Sequence, residues 1–516
     1  MILATNIAET SITIDDVVYV VDCGKSKEKS YDALNDMACL LPAWISKASA
    51  RQRRGRAGRV RPGVCVRLYT RAAHARMTDH AVPEMLRTPL EELVLAVKSL
   101  SPNAEAAAFA ARAIQPPPAR AVANAIDLLV AVGALRRSDE TLTALGAHLV
   151  SLPVAPRLGK MLVVAAALGQ LEPALTVAAA TATRGFFVLP LDAKRAADAS
   201  RRAFAGDAAS DHVATARAFE EWRSVFAKRG ASAARAFCRE RFLSRDALER
   251  VAEVREQLRS LLRTAGFARR EPPAGLRFRS SHDEAGALDV EVFRAVACAG
   301  LFPKIAAVSR RGRRVELRTH EDGRVEFHPG SVNAQPGASF PFPWVVYGEK
   351  VKTGAVYLRD STCVPACAVL LLGGELEAAP LERDAAASAD DRTRLDQPDQ
   401  TLDRVRVLNG AYAFVAPSAT LDAIKRLRTA LDATLREKAE NPAVDVAARG
   451  AALVGAVRAL MADEARASAR EAVAHSKNSF QKIPRDWPCP RGCGVVFAAK
   501  KRCFRCGAAK PEAAET

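Results

Sequence analysis

Ala50-Arg51-Gln52-Arg53-Arg54-Gly55-Arg56-Ala57-Gly58-Arg59-Val60-Arg61 is the stretch on which the reading of this chain turns. Six arginines fall within eleven residues, and Gln52, Arg53, Gly55, Arg56, Gly58 and Arg59 spell Q-R-x-G-R-x-G-R. Glycine lets a backbone come close to a ligand, and each guanidinium offers planar, bidentate donors suited to phosphate oxygens. A run of this kind taken alone is more often a solvated basic surface or a nuclear-localisation patch. A second stretch shifts the balance: Ala4-Thr5-Asn6-Ile7-Ala8-Glu9-Thr10-Ser11-Ile12-Thr13-Ile14-Asp15, then apolar residues 17–21, then Asp22-Cys23-Gly24-Lys25. Val-Val-Tyr-Val-Val is short, β-branched and bounded by Asp and Gly, which predicts a buried central strand. The Thr, Ser and Asp residues ahead of it are groups that meet ribose and phosphate.

In order and spacing the two stretches resemble motifs V and VI of the DEAH-box ATP-dependent RNA helicases. The resemblance implies that Thr5 touches the RNA backbone and that Ser11 couples the RNA and nucleotide sites. It places Thr13 and Asp15 in the nucleotide pocket and makes Gln52 the residue that helps position the attacking water. Arg56 and Arg59 become arginine fingers on the γ-phosphate, a role worth about 10³–10⁵ in rate. Residues 17–44 fall where the family carries a β-hairpin that wedges against the duplex. Lys25, Lys27 and Lys29 alternate along one side of it, and Lys25 and Lys27 are candidate RNA contacts; a strand edge guarded by lysines has the same pattern.

The family's P-loop, DEAH carboxylates and Mg²⁺ site belong to the first of two RecA-like domains. The only partial match here to G-x-x-x-x-G-K-[ST] is Gly24-Lys25-Ser26, with Tyr19 where the first glycine is required. The expectation is arginine fingers without a phosphate cradle. ATP and Mg²⁺ would bind only together with an N-terminal helicase half, and this chain alone would be inactive.

Composition agrees with an RNA-handling protein of several domains. The chain has 516 residues and a net charge of +18, which points to polyanions, nucleic acid first. No window approaches 18 uninterrupted apolar residues and Met1-Ile2-Leu3-Ala4 is no signal peptide, so an intracellular protein of nucleus or cytoplasm, without a membrane span, is expected. Of 11 cysteines, seven are scattered and four cluster near the C-terminus. That usage suits a reducing compartment with one metal site.

Beyond the arginines the period becomes helical. Thr88-Pro89-Leu90-Glu91 combines an N-cap, a first-turn proline and a capping-box glutamate, and Leu90, Leu93, Val94, Val97 and Leu100 mark a core face. The punctuation at residues 142–146 and 152–161 resembles the winged-helix and helicase-associated ("ratchet") domains of DEAH proteins. Ser210-Asp211-His212 and Phe237-Cys238-Arg239-Glu240 look like landmarks there; helix capping and packing explain His212 better than catalysis. From about residue 290 strands take over, with Val315 and Leu317 before, and Val325 and Phe327 after, an Asp322-Gly323 turn. Residues 328–333 and 344–362 resemble the family's OB-like domain. They are nearest to the subgroup that acts broadly on RNA, including G-quadruplex openers. Arg310, Arg311, Arg313 and Arg314 are candidate phosphate contacts or a solvated run. Residues 375–403 read as an acidic insertion.

The last motif is Cys489, Cys493, Cys503 and Cys506. Two close pairs can give four thiolates to a tetrahedral Zn²⁺, and a module this small needs the metal to fold. With Asp486-Trp487 before the first cysteine it resembles the Ran-binding-protein-2-type zinc finger. Gly494-Val495 stands where the ubiquitin-binding class has Thr-Phe, whereas Phe497 takes the stacking position of the RNA class. Trp487, Phe497, Lys500 and Arg502 are its candidate RNA contacts, without the family's asparagine and arginine guanine readers.

The fold expected is therefore multidomain α/β + α + β. It comprises a partial RecA-like domain (1–80), a winged helix (81–152), a helical ratchet bundle (153–270), an OB-like β-barrel (285–435), a helical segment and linker (436–484) and a small zinc finger (485–512). The function expected is the RNA-binding C-terminal part of a DEAH-family RNA helicase. The competing reading is an ATP-independent RNA-binding scaffold.

Overall fold

The computed structural model describes residues 2–9, 16–32, 37–58, 61–183, 185–190, 192–268, 288–311, 314–335, 338–352, 355–379, 402–408, 410–444, 451–480, 487–488 and 495–496. It divides into two units, Met1–Met461 and Ala462–Thr516.

The first unit opens with β1 (Tyr19–Asp22) running parallel to β4 (Val64–Arg67), with Tyr19 opposite Val64 and Asp22 opposite Arg67. Between them lie the antiparallel hairpin β2 (Lys25–Asp32) and β3 (Met37–Trp44), and helix α1 (Lys47–Arg54). The hairpin expected for this segment is present. The buried central strand is not: among the described residues β1 pairs only with β4, leaving Tyr19 75% and Val21 67% exposed. A β-branched run favours extended backbone, but burial needs neighbours on both faces. Ser46 caps α1 by accepting from the Ser49 N–H at 3.1 Å, and the arginine stretch continues through a 3₁₀ turn at Gly55–Gly58.

Helices α2 (Arg71–Arg76), α3 (Glu91–Leu100), α4 (Ala106–Ala111), α5 (Ala119–Val132) and α6 (Ala144–Val150) follow. Thr88 is not the cap of α3. Its hydroxyl bonds the Glu84 carbonyl at 2.9 Å, and the helix begins after Leu90, which offers no side-chain cap. Leu90, Val94 and Val97 are buried as expected, but Leu100 is 84% exposed and Leu95 takes its place in the core. Leu100 is the last residue of α3, where the chain turns away at Ser101 and the periodic face has nothing left to cover it.

A helical bundle comes next: α7 (Pro156–Ala167), α8 (Leu171–Ala182), α9 (Lys194–Ala205), α10 (Asp211–Glu240, kinked at Gly230), α11 (Arg245–Thr264) and α12 (Val290–Leu301). Met161, Leu162, Leu175 and Leu248 are fully buried here, each worth about 1.5–3 kcal/mol of burial. Helix α12 packs along α7 at unusually close range, because a Cβ on Gly300 would fall 2.3 Å from Met161 Cβ.

Strands β5 (Ile305–Arg311), β6 (Arg314–Thr319), β7 (Gly323–Phe327), β8 (Trp344–Lys352) and β9 (Val356–Val364) close a barrel in the order β5-β6-β7-β9-β8. Only the β7–β9 pairing is parallel. The Asp-Gly turn is where the alternation put it, with Gly323 at φ +66°. Ala306, Leu317, Val325, Tyr347 and Leu358 fill the interior. Arg310, Arg311 and Arg314 stand beside the β5–β6 turn; Arg313 lies outside the described residues.

After α13 (Ala366–Leu372), strands β10 (Glu377–Ala379), β11 (Leu402–Val407) and β12 (Tyr412–Pro417) form a separate antiparallel sheet. Most of the acidic insertion therefore connects two paired strands. Helices α14 (Ser418–Glu440) and α15 (Ala451–Phe480) complete the helical part, and the short strands β13 (Trp487–Pro488) and β14 (Val495–Val496) pair antiparallel. No helix among the described residues is long and apolar enough to cross a membrane.

Candidate nucleic-acid and nucleotide interface

Asp22 ends β1 with a buried carboxylate, and the site is assembled around it. Its Oδ1 accepts from the Arg53 guanidinium and from the Gly24 N–H, each at 2.9 Å, and its Oδ2 accepts from the Tyr69 hydroxyl at 2.9 Å. Arg53 also donates to Glu9 Oε1 at 2.8 Å and to the Lys25 carbonyl at 3.3 Å. The guanidinium of Arg56 donates to the Glu9 backbone carbonyl. Burial alone would lower the Arg53 pKa, but the hydrogen bonds and charges of Glu9 and Asp22 raise it above the usual value. Burial, followed by the bond to Asp22, pushes the Tyr69 phenol up to about 12. Gly24 sits at φ +71°, and a Cβ there would lie 2.6 Å from the Tyr69 ring. Only glycine fits.

The network ties the stretch containing Thr5 and Glu9 to the arginine stretch, 44 residues apart at Glu9–Arg53. Of the motif residues, Arg56 is half-buried at this seam, Gln52 is exposed on α1, and Thr5 is exposed, its hydroxyl accepting from the Ile7 N–H at 3.5 Å. Ser11, Thr13, Asp15 and Arg59 lie outside the described residues, as do Cys489, Cys493, Cys503, Cys506, Phe497, Lys500 and Arg502. Trp487 is placed on β13 by its backbone. Glu9, Asp22, Arg53 and Tyr69 are the organising side chains that sequence reasoning did not assign.

On the hairpin, Lys25 pairs with Trp44 and Lys27 with Pro42, and both lysines are exposed. Tyr31, further along β2, accepts from Asn124 Nδ2 of α5 at 3.2 Å, and β3 runs beside β8 of the barrel. The hairpin is thereby held between the α3–α6 helices and the barrel.

A second polar cluster joins the helical bundle to the barrel. Ser210 caps α10, accepting from the Val213 N–H at 3.0 Å. Asp211 accepts from Ser331 Oγ (2.6 Å), the Val332 N–H (2.9 Å) and the Ser361 N–H (2.9 Å), and it pairs with Arg201 at 3.2 Å. His212 Nδ1 and Ser210 Oγ both meet Thr362 Oγ1, at 2.7 and 2.6 Å. Burial holds the His212 pKa below its usual value, so the imidazole is a neutral packed partner. The capping-and-packing reading of Ser-Asp-His holds.

Three family models match the chain: "Helicase associated domain (HA2), ratchet-like" over residues 155–248, "Oligonucleotide/oligosaccharide-binding (OB)-fold" over 293–376, and "C-terminal domain in RNA helicases" over 404–463. The first falls on α7–α10 and the start of α11, the second on α12, the barrel and α13, the third on β11 through the start of α15. The chain is 47% identical over 461 residues to the DExH-box ATP-dependent RNA helicase DExH1 of Arabidopsis thaliana, an alignment covering 89% of this chain and 43% of that protein. It is 37% identical over 478 residues to the human ATP-dependent DNA/RNA helicase DHX36 (91% and 45%) and 34% identical over 448 residues to the human ATP-dependent RNA helicase DHX29 (86% and 31%). The chain spans less than half the length of each of these relatives. By sequence, by domain content and by the barrel and bundle just described, it is homologous to the C-terminal part of the DExH/DEAH-box RNA helicases and carries their ratchet-like and OB-fold domains.

Proposed function

We propose that this chain is the RNA-binding C-terminal part of an ATP-dependent DEAH-family RNA helicase, which unwinds RNA when joined to a P-loop and DEAH half. The observation that carries the reading is the seam at Glu9. One guanidinium, Arg53, is locked between Glu9 and Asp22, and a second, Arg56, is held on the Glu9 backbone. That arrangement positions the arginine stretch against the segment whose residues the family uses for RNA and nucleotide.

In this reading Arg56 and Arg59 offset charge developing on the γ-phosphoryl group, and Gln52 orients the water. Thr13 and Asp15 line the pocket; Thr5 and Ser11 face the RNA. Phosphoryl transfer needs positioning and charge neutralisation more than covalent chemistry, which suits a set of fixed guanidiniums. ATP and Mg²⁺ require the P-loop half, so the chain by itself is inactive. Residues 81–152 form the winged helix that completes the channel with the ratchet and OB domains. Cys489, Cys493, Cys503 and Cys506 hold Zn²⁺, and Trp487, Phe497, Lys500 and Arg502 add RNA contacts. β13 and β14, which flank Cys489 and Cys493 in sequence, pair antiparallel.

The test is RNA-stimulated ATPase activity of the protein carrying both halves. Arg56→Ala is expected to lower kcat by about 10³ or more while RNA affinity without nucleotide is unchanged. Arg51→Ala, which removes an exposed charge from α1, one turn ahead of the 3₁₀ segment that holds Arg56, is expected to leave kcat unaltered. Wild-type turnover in Arg56→Ala would sink the arginine-finger assignment. RNA binding with no ATP dependence at all would favour the scaffold reading.

A further inference from the structure

Trp44 ends β3 just ahead of α1, and 48% of its surface is exposed, unusual for a side chain this large and apolar. Lys25 Nζ stands 3.6 Å from the centroid of its ring. The ring edge meets Tyr69 at 6.1 Å between centroids, and a Cβ on Gly24 would lie 3.0 Å from Trp44 Cζ3. The Arg67 guanidinium lies 5.9 Å from the centroid of the Tyr69 ring. Two aromatic rings and two cations therefore share one surface beside the arginine stretch.

The mounting is rigid. Asp22 fixes the Tyr69 hydroxyl, Arg53 holds the Lys25 carbonyl, and the Ile45 N–H bonds the Gly24 carbonyl at 3.1 Å. The Lys25 ammonium is a strongly hydrated charge at the end of a flexible stem. An exposed cation–π contact of this kind is weak, and the place it occupies over the indole is the place a flat base would take. Stacking on an aromatic face tolerates every base, because each has a π face.

We infer that Trp44 is a stacking platform for an unpaired nucleobase of single-stranded RNA, and that Lys25, displaced from the ring, contacts the neighbouring phosphate. The inference rests on the proposed RNA-binding function and adds to it a place and a mode of contact.

The test is binding of single-stranded oligouridine, and of an abasic oligomer of equal length and charge, to the whole chain at several salt concentrations. Trp44→Leu keeps apolar bulk over Gly24 and Tyr69 but removes the aromatic face. It is expected to weaken oligouridine binding about tenfold and to shrink the preference for oligouridine over the abasic strand by the same factor. Trp44→Phe is expected to retain most of both. Lys25→Ala leaves the ring in place and is expected to reduce the magnitude of the salt slope by about 0.7. Should wild type not bind oligouridine, the RNA-binding reading itself falls. Should it bind while Trp44→Leu keeps full affinity and full base preference, the platform is wrong and the broader reading stands. If Trp44→Leu loses its melting transition, Lys25→Ala decides: an unchanged salt slope overturns the proposal.

Discussion

A carboxylate shut away from water has to find its partners among fixed groups, and Asp22 finds three, from Arg53, Gly24 and Tyr69. The alternative, an unpaired buried charge, is what makes such a pair costly to break from one side. Arg53→Met is therefore expected to destabilise the N-terminal segment by about 3–5 kcal/mol, and adding Asp22→Leu to recover much of that loss. Denaturant titration followed by Trp44 fluorescence in a background lacking the other tryptophans reads this out. Equal loss in the single and double variants would show that Asp22 is not what Arg53 compensates. None of these partnerships was visible in the sequence. Arg53 was one of six arginines in a run, and what set it apart, a carboxylate on either side of it in space, exists only after the chain has folded.

Packing between elements decides two further outcomes. Asp211, the first residue of α10, ties that helix to the Ser331–Val332 turn and to β9 of the barrel. Asp211→Ala is expected to leave several buried donors without an acceptor and to loosen the bundle–barrel junction, seen as faster protease cleavage between residues 320 and 365. Cleavage at the wild-type rate would remove Asp211 from that role. On α7, burial lowers the Lys160 pKa from 10.5 to about 8, with Asp432 of α14 compensating only in part. Between about pH 8 and 10.5 the unfolded chain holds more protons at this site than the folded one, so stability rises with pH across that window. Below pH 8 the protonated, half-buried amine weighs against the fold in full. Lys160→Met is expected to raise the denaturation midpoint at pH 7 and to flatten the rise between pH 8 and 10.5. A pH profile parallel to wild type would show that Lys160 is not held below its ordinary pKa. Helical spacing had marked the core face of α3 correctly at Leu90, Val94 and Val97. It failed at Leu100 because a period cannot say where a helix stops being covered.

At the scale of the whole molecule, the boundary between residues 1–461 and 462–516 separates the large unit from the end that carries the four-cysteine motif. On the proposed Zn²⁺ site, treatment with a chelator is expected to lower RNA affinity while leaving the melting of the larger unit unchanged, since a structural zinc stabilises the module that holds it. Unchanged affinity after verified zinc loss would remove that module from the RNA-binding surface. The order of parts, from arginine stretch to helices to barrel, was legible from the chain alone, because periodicity, turn chemistry and motif spacing are local or carried by short runs; the onset of strands was not, since residues 290–301 form helix α12 and the barrel begins at Ile305. The Asp322-Gly323 hairpin and the Ser210 cap belong to that class. Tertiary structure alone decided which side chains meet: Glu9 with Arg53, Tyr31 with Asn124, Asp211 with Ser361, Lys25 with the exposed face of Trp44. Those contacts join elements tens to hundreds of residues apart or depend on how much of a ring stays uncovered. Both are properties of the packed chain, which no run of sequence contains.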